Sequence, residues 1–383
     1  MKKLLFALSI LLSLSSCRED DDVVQPVVDD TGQQVVTDYL GLYVLCEGNM
    51  GSNKATLDYL DLHTGQYHKN IFPSRNPSQV KELGDVGNDA KIYGSRLWLV
   101  INSSNKVEVC TADSAFSLGH IDVPNCRYLA FDGGYAYVSS YVGPVGGTSV
   151  RGSVYKIDTL SLNVVAKTTV GFQPEEMAVA DGKLYVANSG GYEALQGRSY
   201  DNTVSVVDLE TFTEEKRIAV APNLFRIRAD GRGQLWVSSR GDYTSLNPAR
   251  LYCLAKDAKG NMALTDSLDI PVSDMAFRGD SLCYVGSTFD YIWQQQNSSG
   301  VVDCSSHSIV STSLVKDMSA IETVYGLMVH PLTGDIYVMD ATNYVSSGKL
   351  FCYDDEGNCL WDVYTGDIPG HACWYVRTTN EQQ

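Results

Sequence analysis

The feature that most restricts this fold is a triplet, apolar-aromatic-apolar, that returns seven times: Leu42-Tyr43-Val44, Leu97-Trp98-Leu99, Ala136-Tyr137-Val138, Leu184-Tyr185-Val186, Leu235-Trp236-Val237, Cys283-Tyr284-Val285 and Ile336-Tyr337-Val338. The copies stand roughly 40 to 55 residues apart, the period of propeller blades. Each copy after the first follows a tight turn: Tyr93-Gly94, Asp132-Gly133-Gly134, Asp181-Gly182, Asp230-Gly231, Gly279-Asp280 and Thr333-Gly334. Such turns before an apolar run are hairpin chemistry. No long amphipathic helical pattern interrupts the series. The expected fold is therefore all-β, a seven-bladed β-propeller of four-stranded antiparallel blades.

One copy displays the whole unit. Glu176 to Ala180 alternates apolar and polar residues, Asp181-Gly182 turns, and Lys183 to Asn188 returns. A polar loop from Ser189 to Asp201 leads to Asn202–Asp208, and a second turn at Leu209–Phe212 leads to Glu214–Val220. A lone blade has two open edges, so it needs neighbours. Asp38-Tyr39-Leu40-Gly41 is too short to supply an inner strand for the first copy. The expected closure is Ala372-Cys373-Trp374-Tyr375-Val376 paired with Leu42 to Cys46.

The N-terminus reads differently. Lys2-Lys3, the apolar Leu4–Leu14 and Leu14-Ser15-Ser16-Cys17 have the form of a lipoprotein signal, with residues 1–16 removed and Cys17 acylated. Arg18-Glu19-Asp20-Asp21-Asp22 is a solvated acidic run that also resembles an export signal for the outer face of the outer membrane. Residues 17–38 then form a tether, 39–377 the propeller and 378–383 a tail. About twenty coil residues reach roughly 25 Å. The expected location is the cell outer membrane, lipid-anchored and surface-exposed, without a transmembrane helix.

A formal net charge of -17 argues against nucleic acid or anionic lipid as a partner and suits a neutral or cationic ligand. Besides Cys17 there are nine cysteines and no C-x-x-C pair, which argues against zinc or redox chemistry. Cys110, Cys253 and Cys283 occupy strand positions suited to small buried residues. Cys352 with Cys359, and Cys46 with Cys373, are candidate bridges.

Function should lie where the long second-to-third-strand loops gather, because a rigid scaffold presents all of them on one face of the disc. These loops pair Tyr or Trp with Ser, Asn, Gly or Gln, the chemistry of a binding surface. Candidate ligand contacts are Glu47, Asn49, Tyr141, Asn188, Tyr192, Arg198, Arg240, Tyr243, Tyr291, Trp293 and Tyr344. The blander reading is that the same aromatics pack the loops together. Catalytic signals are weak: the six histidines form no motif, and most are expected on outer strands or the opposite face. Glu175-Glu176 heads an inner strand and could face the channel with Asn188, as a calcium or acid-base pair or as an ordinary solvated strand end. No catalytic residue and no metal site is assigned.

Leu184-Tyr185-Val186-Ala187-Asn188 followed by Asn202-Thr203-Val204-Ser205-Val206-Val207-Asp208 resembles the YVTN repeat of YncE-like seven-bladed propellers. That resemblance spans the chain from about Tyr39 and speaks to fold, since this architecture hosts binders, lactonases and dehydrogenase subunits. Combined with an acylated tether and aromatic-polar loops, the chain resembles BtuG-type surface lipoproteins. The resemblance implies a non-enzymatic protein that captures vitamin B12 or another corrinoid and passes it to a TonB-dependent outer-membrane transporter. The alternatives are a secreted propeller enzyme of the metal-dependent lactonase kind, or glycan and adhesion binding through the same aromatics.

Overall fold

In the computed structural model the described residues are 27–28, 34–79, 82–144, 149–194, 196–289 and 295–380. The chain divides into two compact units, residues 39–375 and residues 1–38 with 376–383. The second of these contains the bridge of Val27–Val28 to Gln34 and Val35, and an ion pair of Arg377 with Asp38 at 3.0 Å. The signal, Cys17 and the acidic run lie outside the described residues. Among the described residues no helix is long and apolar enough to cross a membrane.

Residues 39–375 form the propeller, whose seven antiparallel sheets are its blades. Blades 2 to 7 each run through four consecutive strands, beginning at Gly87, Cys126, Pro174, Leu224, Asp274 and Val324. Blade 1 takes its inner strand from the far end of the chain: Pro369–Asn380 pairs with Gln34–Cys46, followed by Thr56–Asp61 and the two-residue Tyr67–His68. The expected closure is thus the observed one. Asp181 and Gly182, at φ 50° and 69°, have the positive values that a two-residue hairpin turn of this kind requires.

The triplets work by strand parity. Successive side chains on a strand point to opposite faces, and each face of a blade meets a different neighbour. Leu184 and Val186 join the apolar cluster with Tyr137 of blade 3, whereas Tyr185 and Ala187 join that with Leu235 and Val237 of blade 5. Trp236 then reaches Leu282 and Tyr284 of blade 6. The pattern closes where Leu42, Val44 and Cys46 pack with Tyr337 and Met339 of blade 7. Burying one such side chain is worth about 1.5–3 kcal/mol, so each triplet contributes to two seams at once.

Parity also decides the cysteines. Cys46 packs in the blade 7 seam and Cys373 in the blade 2 seam, so the two thiols face opposite sides of blade 1. Cys359 stands opposite Tyr353, and Cys352 opposite Trp361. Neither candidate bridge forms, and all nine described cysteines are free, eight of them buried.

Two expectations about loops change. The second-to-third connection of blade 2 is only residues 102–105. In blade 6 the stretch read as a loop, residues 289–297, is ladder where it is described: Ser281–Phe289 pairs with Gln295–Asp303, including Ser287 with Asn297. Polar residues that accept extended backbone lengthen the hairpin, and Asn297 Nδ2 anchors it to the Ile321 carbonyl at 2.9 Å. Tyr291 and Trp293 lie outside the described residues.

Candidate functional site

Inner strands begin at the same level around the ring, so their first residues meet near the axis. There the even blades supply carboxylates and the odd blades receive them. Asp89 accepts from the Leu129 backbone N–H at 2.8 Å, Glu176 from Ile227 at 3.0 Å, and Asp274 from Leu327 at 2.8 Å. Guanidinium groups of the odd blades complete this clasp. Arg127 donates to Glu175 at 3.0 and 3.2 Å, and Arg228 donates to Glu176 at 3.2 Å and Asp274 at 2.7 Å.

The clasp settles the reading of Glu175-Glu176. Both are buried and each faces a guanidinium from an adjacent blade, so they are neither a solvated strand end nor a paired acid and base. Burial pushes the Glu176 carboxyl toward protonation, but Arg228 and Arg226 outweigh it and hold its pKa below the ordinary value. Asn188 is not with them. Its amide is fully buried and donates to Thr203 and Ser205, locking blade 4 locally. Among the described residues no group of three or more His, Cys, Asp or Glu could hold a metal ion.

Above the clasp, on the face where the second-to-third-strand loops emerge, a cavity of about 840 Å³ opens. All seven blades line it. Its floor includes Asn88, Arg127, Tyr128, Phe225, Arg226 and Tyr325, and its walls include Tyr141, Tyr192, Arg240, Tyr243 and Tyr344. From the expected set, Glu47, Tyr141, Tyr192, Arg240, Tyr243 and Tyr344 come together here. Asn49 sits on the rim and donates to the Val345 carbonyl at 3.2 Å, tying the blade 1 loop to that of blade 7. Arg198 instead pairs with Glu193 at 2.6 Å and braces the blade 4 loop.

Rings and guanidiniums alternate across the cavity. Arg127 lies 4.9 Å from the Tyr141 ring centre and 5.7 Å from that of Tyr128. Arg226 lies 5.3 Å from Tyr128 and 4.6 Å from Phe225, and Arg240 closes the series 3.5 Å from Phe225. Each step is a cation-π contact, worth about 0.5–2 kcal/mol according to desolvation. The phenols stay neutral donors, because burial pushes the pKa of Tyr128 and Tyr141 well above the ordinary value. Tyr141 donates to Glu175, which joins this ladder to the clasp beneath.

Opposite the ladder stands an acidic pole. Glu47 Oε1 accepts from the Tyr325 hydroxyl at 2.9 Å and lies 3.3 Å from His371 Nε2. Gly370 permits this approach, for a Cβ there would stand 2.7 Å from the Tyr325 ring and 3.2 Å from Glu47. His371 therefore lies in the cavity, an exception to the expected placement of most histidines on outer strands or the opposite face. Among the described residues the lining holds three guanidiniums and one carboxylate, so the chain-wide negative charge misdescribes the cavity.

Inner-strand starts, Arg127, Tyr128, Phe225, Arg226 and Tyr325 among them, were absent from the expected set. Their signal was positional: each stands nine to twelve residues before its blade's aromatic triplet centre. Strain marks the mouth as well. Tyr243 and Tyr344 have φ of 60° and 61°, a left-handed conformation that non-glycine residues seldom adopt and that clusters at binding sites.

Solved structures share the architecture. A hypothetical selenium-binding protein from Sulfolobus tokodaii has a TM-score of 0.63 at 10% identity, with 89% of this chain and 94% of that one covered. Hydrazine synthase of Kuenenia stuttgartiensis has a TM-score of 0.61 at 14% identity, covering 77% and 95%. The periplasmic gluconolactonase of Pseudomonas aeruginosa has a TM-score of 0.57 at 13% identity, covering 88% and 99%. At these identities the likeness concerns the fold, whose members serve varied functions. No curated protein matches the sequence. Residues 40–358 match the family described as Domain of unknown function (DUF5074), and the chain belongs to that family.

Proposed function

We propose that this protein is a non-enzymatic capture module that binds a corrinoid of the vitamin B12 type on the loop face and passes it to a TonB-dependent transporter. The observation that carries the reading is the cavity itself, where side chains from all seven blades converge on about 840 Å³ of space. A corrinoid is a broad disc edged with amides. Tyr192, Tyr243 and Tyr344 offer it ring area at the mouth, while the hydroxyls of Ser245 and Thr288 on the lining can meet its amides. Lipid anchorage through Cys17, with residues 17–38 as tether, places the captured ligand at the outer-membrane surface within reach of a transporter.

Calorimetric titration of the purified protein with cyanocobalamin tests the proposal. Saturable one-to-one binding is expected, and no heat at saturating ligand contradicts it. Cys17→Ala is expected to release the protein from the membrane fraction, read by fractionation and immunoblot.

A further inference from the structure

We propose that Arg240 is the anion-holding group of this cavity, so that the ligand presents a phosphodiester or carboxylate to the open end of the ring-guanidinium ladder. The inference rests on the choice of this cavity as the binding site and names the charge of what enters it.

Three guanidiniums line the cavity, and two are committed. Arg127 is bound to Glu175 and to the Asn88 side chain. Arg226 is buried, 3.4 Å from Asp274, and donates to the Ser273 carbonyl at 3.3 Å. Arg240 is exposed, and among the described residues no carboxylate lies within ion-pair distance of it. The carboxylate nearest in sequence, Asp242, is occupied within its own loop. It accepts from the Thr244 backbone at 3.0 Å, from the Thr244 hydroxyl at 2.5 Å and from Asn247 Nδ2 at 2.7 Å.

Stacking fixes how Arg240 can act. Its guanidinium carbon lies 3.5 Å from the Phe225 ring centre, so one face is covered and the group is held at the cavity wall. The N–H donors lie in the guanidinium plane, and their edge is left for a ligand. A planar fork of this kind matches two oxygens of a carboxylate or phosphate side by side, which an ammonium does not. Behind it, Arg226 lies 4.6 Å from the same ring and is neutralised from below. Among the described residues the ladder thus ends in one positive charge without a carboxylate partner, at the mouth of an acidic protein.

Among corrinoids this distinguishes those carrying the phosphodiester of the nucleotide arm from those that end before it. The test uses two matched pairs against the wild type, Arg240→Met and Arg240→Lys. Naphthoate and naphthamide share shape and differ in charge. Cyanocobalamin and dicyanocobinamide share the ring and differ in the phosphodiester arm. Wild type is expected to bind naphthoate about tenfold more tightly than naphthamide, with the ratio near one in Arg240→Met and intermediate in Arg240→Lys. A ratio near one in the wild type, or one that survives Arg240→Met, overturns the assignment.

With the corrinoids, Arg240→Met is expected to weaken cyanocobalamin about tenfold more than dicyanocobinamide. Equal weakening of the two overturns the anion assignment and leaves corrinoid capture standing. Binding of neither corrinoid to the wild type ends the corrinoid reading, and the naphthoate pair alone then decides Arg240.

Discussion

Arg228 and Arg240 belong to the same blade and meet opposite surroundings. Arg228 lies beneath the cavity floor, shared between Glu176 and Asp274 at 3.2 and 2.7 Å. Arg240 stands at the mouth against Phe225, with its outer edge open. The lower region spends its charges on holding six neighbouring blades in register; the upper region leaves charge and aromatic surface unspent. A fold that separates the two in this way can change its loops without loosening its ring.

The sharpest way to break the comparison is at the clasp. Asp274→Ala removes the partner of both Arg226 and Arg228 and leaves the Leu327 N–H without its acceptor. Removing one member of a buried charge pair costs about 3–5 kcal/mol. Denaturant titration is expected to show a loss of that size, whereas a loss under 1 kcal/mol means that the clasp does not hold the ring.

Acid acts on the same region. Because the Glu176 pKa is lowered in the folded state, its stabilisation is fully present above the ordinary carboxylate pKa and is lost as pH falls through the folded value. Thermal melts of the wild type are expected to fall over that acidic window. Glu176→Gln is expected to start lower and to flatten the slope there, and an unchanged slope removes Glu176 from the account.

At the mouth the expected effects are smaller on stability and larger on binding. Arg240→Met is expected to cost no more than about 1 kcal/mol of stability, the loss of its exposed cation-π contact with Phe225. Its cost should appear in ligand affinity, read by titration. Tyr243→Gly is expected to act on stability within the same range. Glycine accepts the positive φ of this position without strain, so stability is expected to hold within about 1 kcal/mol while affinity falls. A marked loss of stability in either variant means that the mouth residues are packing elements.

The same division explains what the sequence could disclose. The aromatic triplets and Asp-Gly turns are local, and they sufficed for the blade count, the strand order and closure by Ala372–Val376. The clasp is not local. Arg127 and Glu175 stand 48 residues apart, and only the ring brings them together. Glu175-Glu176 was therefore visible as a pair of acids without the guanidiniums that define it. Loop aromatics were legible because position on one face follows from strand count, which is why six of the expected residues meet in the cavity. Arg198 and Asn188 failed because composition does not say whether a polar side chain turns toward a ligand or toward its own loop. The candidate bridges failed because a thiol's partner depends on strand parity, and parity depends on register.

The claim that binding belongs to the loop face and stability to the clasp is tested most directly by hydrogen–deuterium exchange with and without saturating cyanocobalamin. New protection is expected in residues 47–53, 240–249 and 341–346, with the inner strands exchanging slowly in both states. Protection at the opposite turns, residues 257–261, 304–307 and 354–358, or no change at saturating ligand, would contradict it.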